Sequence, residues 1–249
     1  MSLKPSFSKR SSRVNFSLWV VTLWLVLPVA APVFADSAYL APGHPDGVAL
    51  LAPPPVSGSA EDVADLATVR AVVQGRTADE KVRAIKDASL GFSLFAPAIG
   101  PVFQPSALPK TEALMQKVKA EIGTAINTPK DHWRRLRPYQ IDEQLSIGKT
   151  EPSFGYPSGH STRGTVYAFV LAEVFPEKKE AILQIGRDIG WDRVLIGMHF
   201  PTDIYAGRVL GKAIFRELLS SPAFQHDLAE AKAEAQTAQR RIAVPEAAK

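Results

Sequence analysis

The chain has 249 residues, enough to bury one sizeable core, and contains no cysteine. Disulfides, metal–thiolate sites and a thiol nucleophile are therefore excluded. The formal net charge is +4, but four of the 29 basic residues fall in positions 1–35, which hold no acid; the remaining 25 basic residues face 25 acidic ones, so nothing argues for a nucleic-acid or anionic-membrane partner.

In chain order, Lys4, Lys9, Arg10 and Arg13 precede an apolar run from Phe16 to Leu27, and Val33-Phe34-Ala35 follows. This predicts a secretory signal peptide over 1–35, cut after Ala35. An uncleaved anchor fits less well, because the run is short for a span and Pro28 and Pro32 interrupt its end. Export without cysteines suits a bacterial periplasm or exterior, with no stable membrane association once the signal is removed. Residues 36–58, ending in Pro53-Pro54-Pro55-Val56-Ser57-Gly58, predict an irregular N-terminal arm.

Ser59, followed by Glu61 and Asp62, reads as a helix start, and Val63, Leu66, Val69 and Val72 recur at helical spacing up to Gly75. A second helix is expected over 78–89, then a short helix and loop across Gly91–Pro105. A long helix is expected from about Leu108 to Trp133, with Leu114, Val118, Ile122 and Ile126 on one face. Residues 139–156 read as a loop. Pro157-Ser158-Gly159-His160 opens an apolar helix, residues 177–198 form another, and Pro201 starts a third that runs to about Ser220. The stretch 222–240 is Ala- and Glu-rich and weakly amphipathic. Period-2 segments are lacking. The expected fold is all-α: one helical bundle-like domain over 59–240 with a tail at 241–249.

Three motifs carry the chemistry. Ser158 is a natural N-cap, and the first amides of a helix attract an anion; Gly159 allows close backbone approach, and His160 faces what binds there. Arg193, His199 and Asp203 flank a helix junction. An Asp203–His199 hydrogen bond would fix the imidazole tautomer and leave the other ring nitrogen free to attack, although dipole-favoured placement explains both residues equally well. Lys130 and Arg137 are seven apart, on one face if their helix holds; Arg134 and Arg135 between them read as a solvated basic face. Arg suits a bidentate grip on phosphate oxygens and Lys acts as a point charge. No metal-ligand cluster stands out.

Taken together, Lys130-x6-Arg137-Pro138, Pro157-Ser158-Gly159-His160 and Arg193-x5-His199-x3-Asp203 resemble the signature of the phosphatidic acid phosphatase type 2/haloperoxidase superfamily. Gly155-Tyr156-Pro157, Val170-Leu171-Ala172-Glu173 and Ser221-Pro222-Ala223-Phe224-Gln225 are similar to the class A bacterial non-specific acid phosphatases. The resemblance implies the superfamily's helical bundle and a phosphohistidine on His199, with Asp203 orienting it and His160 protonating the leaving oxygen. It further implies that Lys130, Arg137, Ser158, Gly159 and Arg193 bind the phosphoryl group, with no cofactor or metal. The implied substrates are small phosphate esters such as aryl phosphates, nucleotides and sugar phosphates, and phosphotransfer to alcohols can accompany hydrolysis. A vanadate-dependent haloperoxidase is the alternative on the same constellation. Oligomeric state, including a homo-oligomer, stays open. One departure stands out. The family usually has Ser before the third-motif Arg, and this chain has Asp192, which either weakens the pull of Arg193 on phosphate or points away from it.

Overall fold

The computed structural model describes residues 1–2, 38–145, 147 and 149–243. Nearly all of the predicted signal peptide and most of the predicted tail lie outside the described residues. Among the described residues every regular element is helical. Eleven α-helices run in order: α1 Gly47–Leu50, α2 Ala60–Gly75, α3 Ala78–Asp87, α4 Ala96–Ile99, α5 Pro109–Glu121, α6 Gly123–Trp133, α7 Pro138–Ile141, α8 Gly159–Val174, α9 Lys179–Leu195, α10 Pro201–Ser220 and α11 Pro222–Ala243. No described helix is long and apolar enough to cross a membrane.

The starts of α2, α3 and α8 follow from their caps. Ser59 Oγ accepts the amide of Asp62, Thr77 and Glu80 form a reciprocal capping box, and Ser158 Oγ accepts the amide of Ser161. The expected helix over 108–133 is two helices, because the chain turns at Ile122-Gly123. The first of these lacks a side-chain cap of its own. Glu234 on α11 supplies it, accepting the amides of Lys110 and Thr111 at 2.9 Å. That acid also complements the positive end of α5.

Helix α8 packs most extensively against α9 and α10. Small residues let the backbones touch. A Cβ on Gly186 of α9 would lie 2.6 Å from Ala168 Cβ, and one on Gly207 of α10 would lie 2.7 Å from the Ser158 carbonyl oxygen. This close approach fixes the start of α8 against the junction between α9 and α10. Around it Val166, Val170, Leu171, Phe175, Ile182, Ile189, Leu210 and Ile214 form a dry core, each contributing about 1.5–3 kcal/mol by burial. The stretch 222–240 is a long packed helix rather than a weak one. Phe224, Leu228, Ala231 and Ala235 form a buried 4-3-4 stripe against α5 and α8. Its alanines carry little hydropathy but allow a close crossing.

The described part of the expected arm, 38–58, is irregular apart from α1, and it is docked. Tyr39 and Leu51 are buried, Glu121 accepts the amides of Tyr39 and Leu40, and Tyr156 donates its hydroxyl to the Ala52 carbonyl.

Candidate active site

The three motifs converge at the buried end of α8. Lys130 ends there from the last turn of α6, its ammonium donating to the Phe154 carbonyl at 2.5 Å. Arg137 does not share a helical face with it, contrary to expectation. Helix α6 stops at Trp133, Arg134 takes a left-handed conformation (φ 50°), and Arg137 lies extended at the start of α7. The two cations meet because the chain doubles back.

Arg137 is fully buried and heavily used. Its Nε donates to the Ser153 carbonyl at 2.7 Å, Nη1 to the Met198 carbonyl at 3.1 Å and Nη2 to Ser153 Oγ at 3.0 Å. Nη1 also lies 3.0 Å from His199 Nε2. A guanidinium only donates, so Nε2 carries the lone pair. His199 Nδ1 lies 3.1 Å from Asp203 Oδ2 and therefore carries the proton. The imidazole is neutral: burial, then Arg137, Lys130, Arg193 and His160, push it well below its ordinary value.

The turn that carries His199 depends on Gly197. Its φ is +67°, and a Cβ there would lie 2.2 Å from the Leu145 carbonyl oxygen. The amides of Met198 and His199 both return to the Arg193 carbonyl, so Arg193 and His199 are braced together. Arg193 Nη2 donates to Glu151 at 2.5 Å, whereas its buried Nε has no hydrogen-bond partner among the described residues.

On α8, Ser158 is buried and donates its amide to the Asp203 carbonyl at 3.0 Å. Gly159 sits where a Cβ would come 3.7 Å from Lys130 Cε. His160 Nε2 lies 3.1 Å from the Ala88 carbonyl and so donates to it, which makes Nδ1 the nitrogen with the lone pair in the neutral ring. Burial first and Arg193 second push its pKa down to about 4, against the Ala88 carbonyl and Glu151. All eight expected residues therefore gather at one place.

Two partners escaped the sequence reading. Arg135 is not on a solvated face. It is buried, with Nη1 2.8 Å from Asp203 Oδ1 and Nη2 2.9 Å from Asp65 and 3.1 Å from Asp62. Burial raises the Asp203 carboxyl, while Arg135, the Phe200 amide and Lys130 oppose that rise. Asp65 lies four residues before Val69 on the buried stripe of α2, an acid at a core position that marked a buried cation partner. The second is Glu151, which bridges Arg137 and Arg193. The Asp192 ambiguity resolves too. Its carboxylate turns to Arg83 on α3 at 2.8 Å, and its hydrogen bond helps burial raise Asp87 to about 6.

Comparison with known proteins fits this geometry. Residues 119–226 match the PAP2 superfamily model. The non-specific acid phosphatase of Providencia stuartii is 31% identical over 199 residues, covering 76% of this chain and 80% of that one. The chain belongs to the PAP2 superfamily, among its class A acid phosphatases. It is accordingly a phosphatase. The acid phosphatase of Zymomonas mobilis is 29% identical over 212 residues, covering 82% of this chain and 80% of that one. A transmembrane PAP2-type phosphatidylglycerolphosphate phosphatase from Bacillus subtilis shares the fold, with a TM-score of 0.50 at 23% identity over 70% of this chain and 89% of that one.

Proposed function

We propose that this chain is an exported, non-specific acid phosphatase that hydrolyses small phosphate monoesters through a phosphohistidine on His199. The observation that carries this reading is the state of His199, with Nδ1–H on Asp203 and the Nε2 lone pair 3.0 Å from a guanidinium. In the first step Nε2 attacks phosphorus, an N–P bond forms, and the bond to the ester oxygen breaks. That oxygen takes a proton from His160 and leaves as an alcohol. In the second step water gives a proton to His160 and attacks phosphorus, the N–P bond breaks, and phosphate leaves. An alcohol in place of water gives phosphotransfer.

Lys130, Arg137 and Arg193 supply the charge that the phosphoryl oxygens need as they approach the trigonal-bipyramidal state, with Ser158 and the Gly159 amide at the start of α8. The unpartnered Arg193 Nε, buried in the site, supports this: a donor of that kind is normally satisfied, and a phosphoryl oxygen would satisfy it. The basic and apolar residues of 1–35 support export to a periplasm or beyond.

Acid-labile, base-stable labelling by a radiolabelled phosphate ester, located at His199 and lost in His199→Ala, tests the mechanism. Label on a serine or none at all, with turnover intact in His199→Ala, refutes it. Peroxide-dependent halide oxidation with vanadate is expected to be absent. Subcellular fractionation, with a mature N-terminus at Asp36, tests export.

A further inference from the structure

Glu151 belongs to none of the three motifs, yet its carboxylate sits among the cations. One oxygen lies 2.8 Å from Arg137 Nη2 and the other 2.5 Å from Arg193 Nη2. The two guanidinium groups come from different parts of the chain, and a single carboxylate spans them with one oxygen on each. Two oxygens of a phosphoryl group would take the same places. The carboxylate also covers the site. The side chains of Arg137, Arg193 and His199 are 0%, 3% and 1% exposed, whereas that of Glu151 is 31% exposed.

The backbone here is held independently of the side chain. Tyr139 donates its hydroxyl to the Glu151 carbonyl at 2.9 Å and accepts the Glu151 amide, and Arg137 Nε holds the Ser153 carbonyl. The carboxylate can therefore turn outward to water while its segment stays put. Although burial acts to raise it, Arg137, Arg193, His160 and Lys130 together keep the Glu151 carboxyl below its usual range, so the group is an anion.

We propose that Glu151 is a built-in competitor of phosphate. It neutralises Arg137 and Arg193 in the free enzyme and must leave them before a phosphoryl group binds, so it sets the affinity for phosphate monoesters and for product phosphate. This rests on the cation cluster being the phosphate site. A dianionic monoester outbids one carboxylate more readily than a monoanionic diester does, so Glu151 also favours monoesters over diesters.

Calorimetric titration of the mature protein with inorganic phosphate, for wild type, Glu151→Gln and Glu151→Ala, tests this. Removing a charge-assisted rival should tighten phosphate binding by about tenfold or more. Product inhibition of aryl phosphate hydrolysis should strengthen in parallel, and the preference for p-nitrophenyl phosphate over bis-p-nitrophenyl phosphate should fall. Folded variants that bind phosphate equally well or more weakly overturn the proposal. No phosphate binding by any of the three, with no turnover, overturns the phosphate-site reading itself and the proposal with it. Should both variants fail to fold, a wild-type structure with orthovanadate decides. Glu151 turned off both guanidinium groups is the expected result, and Glu151 still bridging them with the anion elsewhere overturns it.

Discussion

Replacing Arg135 by Met removes the cation from three carboxylates at once while roughly conserving side-chain volume. In the wild type its guanidinium lies 2.8 Å from Asp203, 2.9 Å from Asp65 and 3.1 Å from Asp62. Breaking a buried ion pair from one side costs about 3–5 kcal/mol, because the other charge is left in a low dielectric. Asp203 keeps the Phe200 amide and His199 Nδ1, and Asp62 is 17% exposed, so the lower end applies. A loss of about 3 kcal/mol in a domain of this size lowers Tm by about 6–12 °C. The loss should depend on pH. Asp203, already raised by burial, loses the first influence that opposes the rise and moves further up. A carboxyl whose folded pKa exceeds its unfolded value contributes stability below that unfolded value, about 3.9, and loses it as pH rises through the folded pKa. The Tm deficit of Arg135→Met should therefore be small near pH 4 and grow toward neutrality. Turnover should fall about 10–100-fold, as when a group that orients an active histidine is lost. Calorimetry across pH and initial rates on an aryl phosphate read both effects. A variant with Tm within about 2 °C of wild type and full kcat would refute the reasoning.

If His160, held near 4 in the free enzyme, protonates the leaving group as proposed, kcat/KM should decline above about pH 4. The bound phosphate dianion raises that pKa, so kcat should hold to higher pH; coincident breaks in the two profiles would count against His160 as the acid. Asp192→Ser, which restores the usual family residue, should leave KM within about twofold, since the carboxylate faces Arg83. Arg83→Ala should instead cost about 1–3 kcal/mol in denaturant unfolding, a discounted buried-pair loss because Arg83 is 48% exposed. Gly197→Ala meets the Leu145 carbonyl at 2.2 Å and a left-handed φ, so kcat should drop by about 100-fold or the fold be lost; near-normal kinetics would show that the turn relaxes cheaply.

The caps at Ser59 and Ser158 and the helical periodicity made the element order readable, because both are local signals. The three motifs made the site readable, because each fixes residue types at set spacing. What escaped were relations between distant segments. Nothing near Arg135 distinguishes it from Arg134 in sequence. Arg135 is buried against Asp65 and Asp203 and Arg134 is exposed, because the chain turns at Arg134, which is itself left-handed. Glu151 is an ordinary acid in a polar stretch until two arginines from elsewhere close on it. Helix α11 reads as weakly amphipathic because half of its buried stripe is alanine, whose value lies in close approach and not in hydropathy.

Much of the electrostatic design follows from crowding cations in a dry place. Burial first and Arg137 second push the Lys130 ammonium down to about 7, with Asp203 and Glu151 pulling the other way. A phosphate monoester takes its second negative charge near pH 6, so the ligand becomes a dianion just before the site begins to lose a positive charge. Above about 7 the lysine is neutral in the free enzyme and binding must draw in a proton. Below it, the charge is already present. On this reading acid preference enters at the binding step as well as at the proposed leaving-group protonation by His160. Exchanging the single charge of Glu151 for a phosphate dianion then adds negative charge beside Lys130, His160 and His199 together. Each of these pKa values rises when phosphate arrives, and His160 is the one whose proposed role needs the proton. His199 is neutral in the free enzyme because burial and the neighbouring cations hold its pKa well below the ordinary value, and Arg137 Nη1 donates to Nε2.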